Sequence, residues 1–247
     1  MISGFMDAAG KDKSIKPSIG KIRGIIVPHA GYIYSGPVAA YAFNLLRSMK
    51  GKIPSRIIII GPSHYAAFPG LAESGYDSWS TPLGETKAFS IRSRENQAAL
   101  MDFPAAHEPE HSLEVQLPFL QVALEGEGFE IDPILTGDIG PLSGAEAIAS
   151  AIDDSFLVIS SDLSHYLPYK DAIAKDGKTL DILKSMDANL FSHDGDACGR
   201  AGISIAIALA KKKGWSIRLL KYANSGDTAG PKTDVVGYAA LAITEGK

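Results

Sequence analysis

Five of the six histidines in this chain stand just after a short apolar run or inside one polar loop. His29 follows Gly24-Ile25-Ile26-Val27-Pro28, His64 follows Ile57-Ile58-Ile59-Ile60-Gly61-Pro62-Ser63, and His165 follows Phe156-Leu157-Val158-Ile159 and the polar stretch Ser160 to Ser164. His107 and His111 share a loop with Glu108 that leads on to Glu114, and Asp227 follows a late run from Ile217 to Tyr222. Neutral imidazole is the commonest protein metal ligand, and two histidines plus a carboxylate, with positions left open, suit non-haem Fe(II). A single histidine at a strand end is more often a hydrogen-bonded loop residue. The recurrence of the pattern is what makes these residues a candidate site.

Other arrangements carry less. His107 and His111 are four apart, but Pro109 between them prevents a shared helical face. Glu108-x-x-His111 resembles half of a di-iron helix motif in a single copy. Asp162, three residues before His165, could orient an imidazole that works as acid or base. Cys198 precedes a predicted helix and neighbours Arg200, which would suit an activated thiol, although a small buried cysteine at a helix start is the preferred reading. His193, among Ser192, Asp194 and Gly195, reads as part of a solvated turn. No G-x-G-x-x-G follows the first apolar run, no phosphate-binding G-x-x-x-x-G-K-[ST] occurs, and Gly202-Ile203-Ser204-Ile205-Ala206 lacks the last glycine of a nucleophile elbow.

The elements that must position these residues follow from the apolar runs. Four or five bulky residues in a row are too few for a helix and suit strands buried on both faces. Pro28 has no N–H to give a ladder, so the first strand should end there and deliver His29 to a loop. Val38 to Leu46 has helical spacing, so the grammar is strand, polar loop, helix. The runs at 56–60, 131–135, 156–159 and 217–222 repeat the strand-then-polar-loop half of it, and in open α/β sheets ligands bind outside the carboxyl ends of strands. One α/β domain with a mostly parallel or mixed central sheet flanked by helices is therefore expected, with several strand ends facing one cleft.

At 247 residues, 45% hydrophobic and 21% charged, the chain can bury one large core. The net charge of −4 leaves no basic footprint for nucleic acid. No apolar stretch reaches the roughly 18 residues of a membrane span and no signal peptide precedes the first strand, so a soluble, cytoplasmic protein without a membrane partner is expected. A single cysteine rules out an internal disulfide. Residues 1 to 22 read as a surface tail or loosely docked segment, and Tyr76 to Thr81 as an edge strand. Helices are predicted over Glu95 to Met101, from Leu113 behind a Ser112 cap with a restart at Pro118, and over Leu142 to Asp153 with Ser143 and Glu146 as a capping box. Two more are predicted over Asp176 to Phe191 and Arg200 to Lys213, and a last strand over Val235 to Thr244.

Six segments together carry a family resemblance: Pro28-His29-Ala30-Gly31-Tyr32 with Ser35-Gly36; Gly61-Pro62-Ser63-His64; Thr81-Pro82-Leu83-Gly84; Glu110-His111-Ser112-Leu113-Glu114-Val115-Gln116-Leu117-Pro118-Phe119; Ser160-Ser161-Asp162-Leu163-Ser164-His165; and Val236-Gly237-Tyr238-Ala239-Ala240. In this order they resemble the Memo family, whose prokaryotic members are often called AmmeMemoRadiSam system protein B. The resemblance implies a variable tail at 1–21 and a Memo-like α/β domain at 22–247, similar in fold to class III extradiol non-haem iron dioxygenases. By motif position it makes His29 and His64 paired metal ligands, His165 an acid/base histidine with Asp162 beside it, and His111 a further cleft residue. Animal members carry a cysteine ligand near the position of Asp227, which makes Asp227 the expected third ligand here.

The cofactor expected is then a divalent metal, Fe(II) first, with copper and zinc as alternatives. The function expected is a metal-dependent oxidoreductase of unknown substrate, acting on a small-molecule or peptide ligand in the cleft. The alternative is a non-catalytic module that binds a peptide or anionic ligand through the same cleft, with Arg200 as a contact. A functional link to a radical enzyme and a homo-oligomer are the further partner expectations.

Overall fold

The computed structural model describes residues 1–12, 20–92 and 99–246. Its strands are β1 (Ile22–Val27), β2 (Arg56–Pro62), β3 (Leu71–Glu73), β4 (Ser78–Thr81), β5 (Gly84–Ala88), β6 (Leu100–Asp102), β7 (Glu130–Thr136), β8 (Ser155–Ser160), β9 (Trp215–Asn224) and β10 (Gly237–Glu245). The helices are α1 (Ile2–Lys11), α2 (Tyr32–Arg47), α3 (Pro104–His107), α4 (Leu117–Ala123), α5 (Pro141–Ile148), α6 (Tyr169–Lys184), α7 (Ala188–Asp194), α8 (Arg200–Lys213) and the single turn α9 (Ser225–Thr228).

One mixed sheet runs through the molecule in the order β4-β5-β7-β2-β8-β1-β10-β9, with β3 and β6 attached beside β7. Its centre, β7-β2-β8-β1, is parallel, while β10 and β9 close one side antiparallel. The four central strands therefore end at one edge, at Thr136, Pro62, Ser160 and Val27. The isoleucine runs are continuous because both sheet faces are covered. Ile57 and Ile59 face a core layer with Met6, Phe43, Phe119 and Leu120, whereas Ile58 and Ile60 face a second layer with Ile148, Leu180, Phe191 and Ile207. β1 and β8 lie so close that a Cβ on Gly24 would sit 2.5 Å from the Leu157 carbonyl oxygen.

The expected single α/β architecture with a mixed, helix-flanked sheet is present, and several local boundaries shift. Residues read as a tail contain α1, which packs on α2 with Met6 fully buried, Asp7 paired to Arg47 and Asp12 accepting from the Tyr41 hydroxyl. Its few apolar positions are enough because α2 supplies the complementary face. α2 starts at Tyr32 and carries Pro37 inside it. The predicted helix from Asp176 to Phe191 is divided: α6 begins earlier, at Tyr169, Met186 takes a left-handed backbone (φ 55°), and Asp187 caps α7 by accepting from Leu190 N.

At α5 the cap is Gly140 with Pro141 in the first turn, so the Ser143 capping box does not form and the helix ends at Ile148. Ser112 does not cap either; its hydroxyl donates to Pro62 O, and a short 3₁₀ turn at Glu114–Gln116 leads into α4. Of the predicted Glu95 to Met101 helix, residues 95–98 lie outside the described residues, and Leu100–Asp102 is strand β6. The expected edge strand is the first arm of a β4-β5 hairpin.

Candidate metal centre

The site is assembled at the edge where the parallel strands end. β1 stops at Val27, ahead of Pro28, and His29 enters the cleft almost fully buried. Its backbone N–H donates to Asp162 Oδ1 (2.8 Å), which ties the loop after β1 to the loop after β8. Its Nδ1 is 2.9 Å from Ser160 Oγ, at the end of the strand between β1 and β2. The Ser160 hydroxyl donates its only proton to Ser112 O and also takes a bond from Gln116 Nε2, so towards His29 it can only accept. That network assigns the proton of His29 to Nδ1 and leaves Nε2 as an acceptor, 3.2 Å from the Cys198 sulfur.

His64 is fixed in the same way by a different group. Glu110, buried at 4% exposure, accepts from His64 N (2.6 Å) and lies 2.9 Å from His64 Nδ1. The same carboxylate accepts from His111 N and Ser112 N, both at 2.9 Å, and sits 3.5 Å from His111 Nδ1. One carboxylate thus positions two histidines. The loop from Glu110 to Leu113 is pressed against the end of β2, where a Cβ on Gly61 would meet Leu113 Cδ2 at 2.8 Å and Ser112 Oγ at 2.9 Å.

The result is a triangle of imidazoles. His29 and His64 have ring centroids 5.4 Å apart, His29 and His111 5.7 Å, and His64 stacks on His111 at 5.3 Å. One ligand atom from each of the three lies within 4.8 Å of the others, the spacing needed to hold a metal ion. His29 closes the inner side, while the His64 and His111 side chains keep 30% and 45% of their surface exposed.

The electrostatics fit a neutral donor at His29 beside the Glu110 carboxylate. Burial, then the neighbouring His64 and His111, lowers the His29 pKa to about 3. Burial alone would raise Glu110, but the bonds from His64 and Ser112 outweigh it and hold the carboxylate at about 2. The Glu110 hydrogen bond raises His64 in turn. Asp162 is pushed up by its burial, against the N–H groups of His29 and Ala30. The Cys198 sulfur lies 3.2 Å from His29 Nε2, within reach of its lone pair, and burial followed by the Asp162 charge pushes its thiol up to about 12. It is a thiol and not an activated thiolate.

His29, His64 and His111 come together as one group, with Asp162 at their side. His165 is exposed at the rim, edge-on to Tyr166, within electrostatic reach of His29 and Asp162. Asp227 goes elsewhere. It closes a capping box on α9, accepting from Asn224 N (3.1 Å) and from the Tyr169 hydroxyl (2.6 Å), and lines a separate groove with Phe5, Tyr41 and Lys221. The turn chemistry of Asn-Ser-Gly-Asp consumes its carboxylate, and His111 stands in the third position instead.

His107 is structural, donating from Nε2 to Ala72 O and packing edge-on to Trp79. Glu108 and Glu114 are exposed, and His193 lies on the exposed side of α7. Glu110, Ser160 and Gln116 were not singled out from sequence. The one signal for Glu110 was its place beside His111, because its bond to His64 spans 46 residues of chain.

A family model described as Memo-like protein matches residues 2–242. A MEMO1 family protein of Caldivirga maquilingensis is 37% identical over 93% of this chain and 86% of its own length. MEMO1 family proteins of Sulfolobus acidocaldarius and Ignicoccus hospitalis are each 40% identical, over 92% and 88% of this chain and 84% and 81% of theirs. With this match spanning α1 to β10 and every loop that carries the three histidines, the chain belongs to the Memo-like protein family.

Proposed function

We propose that this protein is a metal-dependent oxidoreductase in which His29, His64 and His111 hold one divalent transition-metal ion, Fe(II), facing a small-molecule ligand in the cleft. The observation that carries this reading is the convergence of one ligand atom from each ring within 4.8 Å. The donor set fits such an ion. Nδ1 of His29 and of His64 is hydrogen-bonded to Ser160 and Glu110, which leaves Nε2 for the ion; at His29 the ion would replace the Cys198 thiol, 3.2 Å away, as the partner of that lone pair. The buried carboxylate of Glu110 supplies compensating charge without being a ligand.

When bound, the ion would supply a Lewis-acid and one-electron centre with positions open to a ligand. The remaining work falls to side chains. Ser160 and Glu110 keep the imidazoles in the right tautomer and orientation, and the burial of His29 excludes water from the inner side. Asp162 and His165 are the groups to hold and move a proton, the first buried against His29 N, the second at the solvent edge of the same loop.

The test is metal analysis after anaerobic purification without added metal. One equivalent of iron, lost in His64→Ala and in His111→Ala, is the expected result. Copper in the same stoichiometry keeps the redox reading and changes the ion. Zinc alone overturns the oxidoreductase reading, and no metal at all overturns the centre and leaves a ligand-binding cleft.

A further inference from the structure

We infer that the cavity beside the histidines is a carboxylate-recognising subsite built round Arg200, so that the ligand presented to the metal centre is a small organic acid; this rests on the metal reading above. The cavity, about 690 Å³, lies between the ends of β2 and β7 and the start of α8. That volume is in the ordinary range for a small-ligand pocket.

One side of it is walled by residues that adjoin the histidines, although none of the three lines it. Ser63, in its wall, immediately precedes His64, and Cys198, also in its wall, has its sulfur 3.2 Å from His29 Nε2. A molecule seated here is one side chain, Cys198, away from His29.

The other side carries Arg200, the first residue of α8. None of the ion pairs among the described residues involves it. Arg200 is exposed and lines a concave site, where its fork matches a carboxylate with two parallel bonds. The surroundings favour the same charge. α8 is 14 residues long, has no side chain capping its start and no acidic residue in its first turn, and Ala201 of that turn lines the cavity.

The chemistry of the lining narrows the class. Asp138 is the second charged group of the wall, which leaves one cation and one anion. A dianionic phosphate would meet repulsion from Asp138 that a monoanion meets only half as strongly, and a hydroxyl or amine on the ligand would give Asp138 a donor. Phe68, Pro69 and Ala66 supply apolar wall for a compact body.

The test titrates benzoate, its neutral isostere benzamide, and phenyl phosphate into the chelator-treated full-length protein, and into Arg200→Gln and Arg200→Lys, by calorimetry. Benzoate should bind, benzamide should not, and phenyl phosphate should bind more weakly than benzoate. Arg200→Gln should weaken benzoate about tenfold or more, as loss of a charge-assisted hydrogen bond does, with Arg200→Lys in between. Equal binding of benzoate and benzamide, no benzoate binding, or benzoate affinity indifferent to both variants overturns the inference. Phenyl phosphate binding tighter than benzoate overturns the carboxylate assignment.

Co(II) uptake separates this from the metal reading. Both variants should take up Co(II) like the parent, and benzoate should change the visible spectrum of the bound ion in the parent at concentrations that leave Arg200→Gln unchanged. Arg200-dependent benzoate binding in a parent that takes up no Co(II) supports the subsite and sinks the metal reading. Co(II) uptake with Arg200-independent benzoate binding sinks the subsite alone.

Discussion

Glu110 holds His64 by two bonds at once, 2.6 Å from the backbone N and 2.9 Å from Nδ1, while its other contacts are the N–H groups of His111 and Ser112. The pair joins two loops that are distant in sequence, and it makes a buried carboxylate the common support of two of the three candidate ligands.

Loss of that support should be read in metal affinity. Glu110→Gln keeps the volume but cannot accept four N–H groups as a carboxylate does, so metal affinity should fall by roughly 10–100-fold. Chelator competition measures it. An affinity equal to the parent's would mean that His64 is oriented by something other than Glu110.

The third ligand can be decided by two substitutions. Asp227→Ala should leave metal affinity at the parent value and lower only thermal stability, because the carboxylate caps α9 and bonds Tyr169. His111→Ala should cost more than the roughly 10–100-fold expected of an outer-shell loss. The reverse order of effects would return Asp227 to the centre.

Acid should destabilise the metal-free protein through two groups of the same sign. In the unfolded chain His29 takes a proton near 6.5, whereas in the folded protein it does so only near 3. Between those values the unfolded state binds more protons, so stability rises with pH across the window and levels off above it. Glu110, depressed from 4.5 to about 2, adds stability that is complete above 4.5 and lost as pH falls towards 2. His64 opposes them, since its raised pKa contributes stability that is lost as pH rises through its folded value. One such proton is worth up to about 1.4 kcal/mol per pH unit. Urea midpoints of parent and His29→Gln between pH 4 and 7 test this, and the variant should show the shallower slope. Parallel slopes would remove His29 from the account.

A buried carboxyl pair lies away from the histidines. Asp132 on β7 and Glu73 on β3, both about 2% exposed or less, share a hydrogen bond, and Ile91 N donates to both. Burial, then the Glu73 charge, raises Asp132 well above the usual carboxylate range. A raised folded pKa means that stability is full below the unfolded value of 3.8 and is lost as pH rises through the folded one. Asp132→Asn supplies an N–H to Glu73 without a proton to lose, so its melting temperature at pH 8 should exceed the parent's. A lower value there would show that the pair is not held together by a shared proton.

The α/β class, the strand ends that present His29 and His64, and their convergence were legible in the chain itself. A run of isoleucines stopped by Pro28 or by Gly61-Pro62 carries its meaning locally, because strand burial and the missing proline N–H act over a few residues. The α8 boundaries were readable for the same reason, from Arg200 to Lys213, with Gly214 beyond. What tertiary structure decided was which carboxylate goes where. Asp227 and Glu110 are both acidic residues in polar loops; Asn-Ser-Gly-Asp offers Asp227 a local cap, but nothing local gives Glu110 its partner. Asp227 meets its own Asn224 and is spent on a cap, whereas Glu110 meets His64 only because the loop before α4 packs on the end of β2. Strand order places Ser160 beside His29, since β8 inserts between β1 and β2 in the sheet and pairs Ser160 with Val27. A hydrogen bond between residues this far apart in the chain is set by the packing of whole elements, which no short window of sequence contains.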